Sequence, residues 1–264
     1  MAYQTGSIRY LGSFKSIRNY RNAHKKKTYA GEKGGANRNL IMKSSVFVRT
    51  RENMSEFKGC GLVVKAIRHG LYHLLPEHAD SQFTGRLVAL VKMINLRDEA
   101  GTKGKRAISF SLNRPILRTL TLHEKRKIDH QQRRSITTGH PASRAEATLT
   151  LNGLNPDTLH VPVNAQYYRV INHLSVISDY VYGENSRKYK PCNAIDTMSA
   201  IAYSDYTALN TPLTATVNAA FPIGTILSET VTVMQCVGIE YYIKTGANEY
   251  IPFKAGSMMV YDVF

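Results

Sequence analysis

Residues 167–181 read Tyr167-Tyr-Arg-Val-Ile-Asn-His-Leu-Ser-Val-Ile-Ser-Asp-Tyr-Val181, and residues 226–242 read Ile226-Leu-Ser-Glu-Thr-Val-Thr-Val-Met-Gln-Cys-Val-Gly-Ile-Glu-Tyr-Tyr242. Both stretches are rich in Val, Ile, Thr and Tyr, whose branched or ring side chains suit a pleated surface. Their length predicts strands, the first long enough to bend or carry a bulge. Further strands are expected over 147–151, 159–163, 214–219, 250–253 and 258–264. Turn signals separate them, among them Pro222-Ile-Gly224, Lys244-Thr-Gly-Ala-Asn248 and Lys254-Ala-Gly256. Many strands with short polar turns predict an antiparallel β-sandwich over 146–264. The apolar end, Val263-Phe264, is expected to dock in a sheet.

Upstream the period changes from two to 3.6. Val63, Val64, Ile67, Leu71, Leu74 and Leu75 recur at helical spacing, as do Phe83, Leu87, Leu90, Val91 and Ile94. Asn53 with Glu56 resembles a capping box, Pro76 is expected to end the first helix, and Asp80 to cap the second. The pair predicts an αα-hairpin whose apolar stripes need each other and the strands as cover. A strand is expected over 108–112 and another over 116–122. The fold class is therefore α+β: a basic extended arm (1–50), a helical hairpin with a basic connecting region (51–145), and the β-sandwich (146–264).

Charge is segregated along the chain. Residues 1–145 carry 29 of the 35 Lys and Arg and 9 of the 19 Asp and Glu, a balance of +20; the rest balances at −4, which gives the overall +16. A chain basic at one end presents a side to something negative. Within 1–50, 11 cations face the single acid Glu32 and interleave with rings. Cations pair with phosphates and rings stack on unpaired bases. The expected polyanion-binding residues are Arg9, Lys15, Arg18, Tyr20, Arg21, Lys25, Lys26, Lys27, Lys33 and Arg38, with Arg126, Lys127, Arg133 and Arg134 from the second basic stretch. The competing reading is a solvated arm that wraps a neighbouring subunit.

Reactive constellations are sparse. His69 and His73 share a helix face and could present to a metal, but Lys65 and Arg68 beside them oppose a cation, and no HExxH pattern occurs. Gly31-Glu-Lys-Gly-Gly-Ala-Asn-Arg38 could touch a phosphate but lacks the P-loop pattern; a flexible turn is the simpler reading. Cys60, Cys192 and Cys236 are odd in number and far apart, so buried free thiols in a reducing compartment are expected rather than a disulfide framework. Cys60 has no nameable base beside it, and no carboxylate pair suggests hydrolysis. No cofactor is expected, and the 16 Tyr with no Trp suit sheets and interfaces.

The stretch 39–107 resembles a family of uncharacterised bacterial proteins. The likeness is carried by Arg49-Thr-Arg-Glu-Asn-Met-Ser-Glu-Phe57, Leu74-Leu-Pro-Glu-His-Ala-Asp80 and Gly85-Arg-Leu-Val-Ala-Leu90, with Val237-Gly-Ile-Glu-Tyr-Tyr242 near the end. That resemblance implies no activity, only that 1–264 is a complete unit. Independently, a basic arm ahead of a β-sandwich is similar in layout to viral and phage-like shell proteins, without a shared motif. The expected function is a non-enzymatic, self-assembling structural protein: a homo-oligomer, filament or shell whose arm binds nucleic acid or another polyanion, or laces subunits. A soluble nucleic-acid-binding protein that does not assemble is the alternative, and a metal-dependent enzyme the third. No membrane partner is expected, since no secretory signal or long apolar run is visible. The expected location is cytoplasmic, or exported without an N-terminal signal.

Overall fold

The computed structural model describes residues 2–22, 27–155, 161–195, 197–247 and 249–264. These combine helices with antiparallel sheets, so the class is α+β. The chain divides into two compact units, Met1–Arg51 and Glu52–Phe264.

The first unit corrects the expectation of an extended arm. It holds four short strands, β1 (Ala2–Tyr3), β2 (Gly12–Phe14), β3 (Ile17–Asn22) and β4 (Lys27–Glu32), in the order β1-β4-β3-β2. A short helix follows, α1 (Arg38–Lys43), capped by the Asn37 side chain, which accepts from the Leu40 amide. Among the described residues 2–51 only Thr28 is buried. With no apolar face to bury, these strands show no alternation in sequence.

Helix α2 (Val48–Gly70), most of which belongs to the second unit, starts before Asn53 and stops before Pro76, which correct two expected boundaries. Asn53 lies inside the helix, and Glu56, instead of closing a cap, is buried. It accepts from the Gly104 amide at 2.8 Å and from the Lys92 ammonium. Pro76 sits in the first turn of α3 (Leu75–His78), where its missing N–H costs nothing. Asp80 does not cap α4 (Phe83–Leu96); it takes both 3.0 Å bonds from Arg86, and the amides of Gln82 and Glu124. Of the strand expected over 116–122, Ile116 and Leu117 belong to α5 (Arg114–Leu117) and Thr121 pairs through a bridge to Met259, while 108–112 pairs only through a bridge of Ile108 to Tyr180. A short α6 (His130–Arg134) carries the capping box of Asp129 and Gln132.

The remaining strands are β5 (Ile136–Gly139), β6 (Glu146–Leu154), β7 (Tyr167–Ser178), β8 (Tyr180–Gly183), β9 (Lys188–Pro191), β10 (Ser199–Tyr203), β11 (Thr207–Ala208), β12 (Leu213–Ala220), β13 (Val231–Lys244), β14 (Tyr250–Pro252) and β15 (Ser257–Val263). The long first stretch thus breaks at Asp179, and the second begins only at Val231. Of the expected strand over 159–163, residues 159 and 160 lie outside the described residues, and 161–163 form no strand. A six-stranded sheet runs β10-β7-β13-β14, with β11 also on β7 and β15 also on β13; β12-β6-β5 form a second sheet and β8-β9 a third. Phe264 is buried, and its backbone exchanges both bonds with Val233.

The central pair β7 and β13 is buried on both faces. Ile171, Ile177, Met234 and Cys236 pack with Val63, Ile67, Leu87 and Val91 of the helices. The alternate positions Tyr168, Val170, Val237 and Ile239 pack with Leu149, Leu151 and Ile136. Residues 51–145 and 146–264 therefore share one apolar core. Inside it, Gln235 donates to Asn172 at 2.9 Å, and Asn172 donates to the carbonyls of Ala147 and Val217, so the buried Asn172 amide is satisfied, while the Gln235 Oε1 is buried without a partner. Close helix–strand approach depends on small residues: a Cβ on Gly59 would lie 2.6 Å from the Tyr189 ring.

Candidate nucleic-acid interface

The basic N-terminal sequence folds so that rings and cations share one face of a sheet. Tyr20 pairs with Tyr29 across β3 and β4, and Tyr29 with Tyr3 across β4 and β1. Residues directly opposite in antiparallel strands point the same way. The three tyrosines therefore form a ladder, with ring centroids 5.9 Å apart for Tyr20–Tyr29 and 6.5 Å for Tyr3–Tyr29. Arg18 and Lys27 lie two residues from Tyr20 and Tyr29 and share that face. The Arg18 guanidinium stands 5.9 Å from the Tyr20 centroid, and the Lys27 ammonium 4.9 Å from that of Tyr3.

Other expected residues are placed around this ladder. Lys15 occupies the two-residue turn between paired Phe14 and Ile17, at a φ of 49°, with its ammonium 5.7 Å from the Phe14 ring. Arg21 pairs with Thr28 and belongs to the opposite face. Arg9 is exposed in the loop after β1, which is tied down by Gln4 through Tyr10 and Asn19. Lys33 follows β4, its amide bonded to the Ser16 carbonyl at 2.7 Å, and Arg38 opens α1. Lys25 and Lys26 lie outside the described residues. The Gly31–Arg38 segment resolves into the end of β4, a turn with Gly35 at φ 95°, and the Asn37 cap.

The second basic stretch belongs to the other unit, and most of its cations have acceptors there. Arg126 donates to the Lys254 carbonyl at 2.8 Å, and Lys127 pairs with Glu124 at 2.9 Å. Arg133 donates to the Ile128 carbonyl and contacts the Met259 sulfur. Arg134 is exposed.

His69 lines a cleft of about 360 Å³ with Lys65, Tyr180 and Tyr189, while His73 packs against Tyr72. Among the described residues no three His, Cys, Asp or Glu gather as a metal-ligand set. Burial pushes the Cys60 thiol up to about 11 and the Cys236 thiol up to about 12, away from the thiolate a nucleophile needs. Cys192 is exposed, which corrects the expectation that all three thiols are buried.

Two groups escaped the sequence reading. Tyr3 was not among the expected residues, because only strand pairing brings it to Tyr29. On the second unit Arg169 stacks on Tyr203 at 3.9 Å, beside Tyr206 and Tyr242, while Tyr206 stacks on Tyr250 at 3.9 Å. The abundance of Tyr was the available signal; the clustering follows from the pairing of β7 with β10 and β13 and of β13 with β14.

Compared with protein-family models, with curated proteins and with solved structures, the chain shows no match. Among the described residues no helix is long and apolar enough to cross a membrane.

Proposed function

We propose that this is a non-enzymatic structural protein that self-assembles and holds single-stranded nucleic acid on its N-terminal sheet. The observation that carries the reading is the Tyr3–Tyr29–Tyr20 ladder with Arg18 and Lys27 on the same face. Ring faces accept stacked bases of any sequence, and the cations accept the phosphates between them. Assembly is supported by the large apolar side chains left exposed around β2, namely Ile8, Tyr10, Leu11 and Phe14. The half-exposed tyrosines around Arg169 add a second surface of interface character. In this reading the two larger sheets are the leaves of a β-sandwich, supported by the apolar cluster they share, and α2 with α4 is an αα-hairpin clasped by Glu56 and Lys92.

Fluorescence anisotropy with a labelled oligothymidylate tests the binding half. If about six cations touch phosphates, log K falls against log salt with a slope near −4. No binding at low salt, or a salt-independent signal, removes it. Size-exclusion across a range of concentrations tests the other half: a monomer throughout favours the non-assembling nucleic-acid-binding alternative.

A further inference from the structure

A cleft of about 740 Å³ opens on the second unit, well away in sequence from the tyrosine ladder. Three loops build it. Ser111–Arg114 come from the segment entering α5, Ser143 and Arg144 from the β5–β6 connection, and residues 225–230 from the β12–β13 connection. Its size is that of a small-molecule site.

The walls are electropositive and rich in hydroxyls. Two arginines, Arg114 and Arg144, stand against a single carboxylate, Glu229. Arg144 is committed to the scaffold: it donates to the carbonyls of Val231 at 2.7 Å, Ser228 at 2.9 Å and Leu227 at 3.2 Å. Its backbone sits at a φ of 57°, a conformation few residues other than glycine adopt. Its charge therefore stays fixed in the wall with three hydrogen bonds committed to the backbone. Arg114 differs. Its Nε is buried with no hydrogen-bond acceptor, and among the described residues its guanidinium makes no salt bridge. Both arginines line the same cleft, and burial first and the Arg114 charge second lower the Arg144 pKa, while Glu229 raises it. A guanidinium whose Nε lacks an acceptor, in a cleft lined by two arginines and one carboxylate with Asp179 behind Ser111, matches an oxyanion. Around it, Leu112 and Ile226 are 82% and 88% exposed and offer an apolar shelf.

We propose that this cleft binds a small organic oxyanion, with the Arg114 guanidinium taking the anionic group and Leu112 and Ile226 taking an apolar body. The ligand class is an aryl or alkyl phosphate monoester or carboxylate. The proposal does not rest on the tyrosine ladder and survives if that surface binds nothing.

Isothermal titration of the full-length protein with phenyl phosphate, benzoate and inorganic phosphate tests it. Phenyl phosphate or benzoate is expected to bind, and phenyl phosphate at least several-fold more tightly than inorganic phosphate; which of the two organic probes binds better assigns the anionic group. Arg114→Gln is expected to weaken the preferred probe at least tenfold, while Arg18→Gln leaves it unchanged. Ile226→Ser, at an exposed position, is expected to erase the preference for phenyl phosphate over inorganic phosphate, and it serves if Arg114→Gln does not fold. The proposal is overturned if neither organic probe binds at millimolar concentration, or if binding is unaltered in Arg114→Gln, or, where that variant does not fold, in Ile226→Ser.

Discussion

Arg169 on β7 and Glu240 on β13 are direct cross-strand partners, and the guanidinium Nε lies 3.0 Å from the carboxylate Oε2. The other carboxylate oxygen receives the buried His78 ring at 3.1 Å, and Tyr242 donates to the same group. Burial alone would raise the Glu240 carboxyl, but the bonds from His78 and Tyr242 and the charges of His78 and Arg169 outweigh it and hold the group at about 2. Replacing Glu240 with Ala leaves Arg169 charged among tyrosines and His78 without its partner. Breaking a buried pair of this kind costs roughly 3–5 kcal/mol. Urea unfolding at neutral pH should show that loss, and a change under 1 kcal/mol would contradict the pairing. The depressed carboxyl also sets a pH window. Its contribution is fully present above about 4.5 and drains away as pH falls towards about 2.

A second, higher window belongs to His173 on the helix-facing side of β7. Burial pushes its imidazole from 6.5 down to about 4. The unfolded chain therefore takes up a proton below about 6.5 that the folded chain refuses, so stability is lost between 6.5 and 4, on the order of 3 kcal/mol in all. His173→Gln should flatten the stability curve over that range, measured by denaturation at successive pH values, and leave the fall below 4.5 in place. An unchanged slope in the variant would show that other groups set it.

Glycines on α2 should respond oppositely to alanine. Gly59 lies against the Tyr189 ring, whereas a Cβ on Gly61 meets nothing within 4 Å. Gly61→Ala should stabilise by up to about 1 kcal/mol through helix propensity alone. Gly59→Ala should destabilise by about 1–3 kcal/mol, the cost of overpacking. Thermal melts of the two variants check the pair, and equal shifts would mean that α2 does not approach β9 as described.

On the tyrosine ladder, rings and cations should separate by their salt response. Tyr20→Leu keeps an apolar side chain on the strand but removes a stacking face, and should weaken oligothymidylate binding by about 1–3 kcal/mol without changing the salt slope. Arg18→Gln with Lys27→Gln should instead make the slope shallower by about 1.5. Anisotropy titrations at four salt concentrations distinguish the two, and identical effects would argue against division of labour on this face.

The helices and the central strands were legible because their signals are local. Val63, Ile67 and Leu71 repeat at helical spacing, and the stretches around Val176 and Val233 are runs that only burial explains. The short strands β9 to β11 were not legible, since two to five residues carry too little pattern against the background of turns. The N-terminal sheet was missed for a related reason: its side chains are exposed, so neither face is apolar throughout. The cation-and-ring composition of the candidate interface was visible, but not Tyr3, which sits 26 residues from the ring it adjoins.

By itself the sequence determined the α+β class, the segregation of charge and the residues of the apolar core, because each depends on composition or on spacing along the chain. The tertiary structure alone decided that Tyr3, Tyr29 and Tyr20 stand in a row, that Arg169 faces Glu240, and that Arg114 lines a cleft with Arg144. Those relationships are set by strand register and loop convergence, in which partners are distant in the chain and a slip of one residue would send each side chain to the other face.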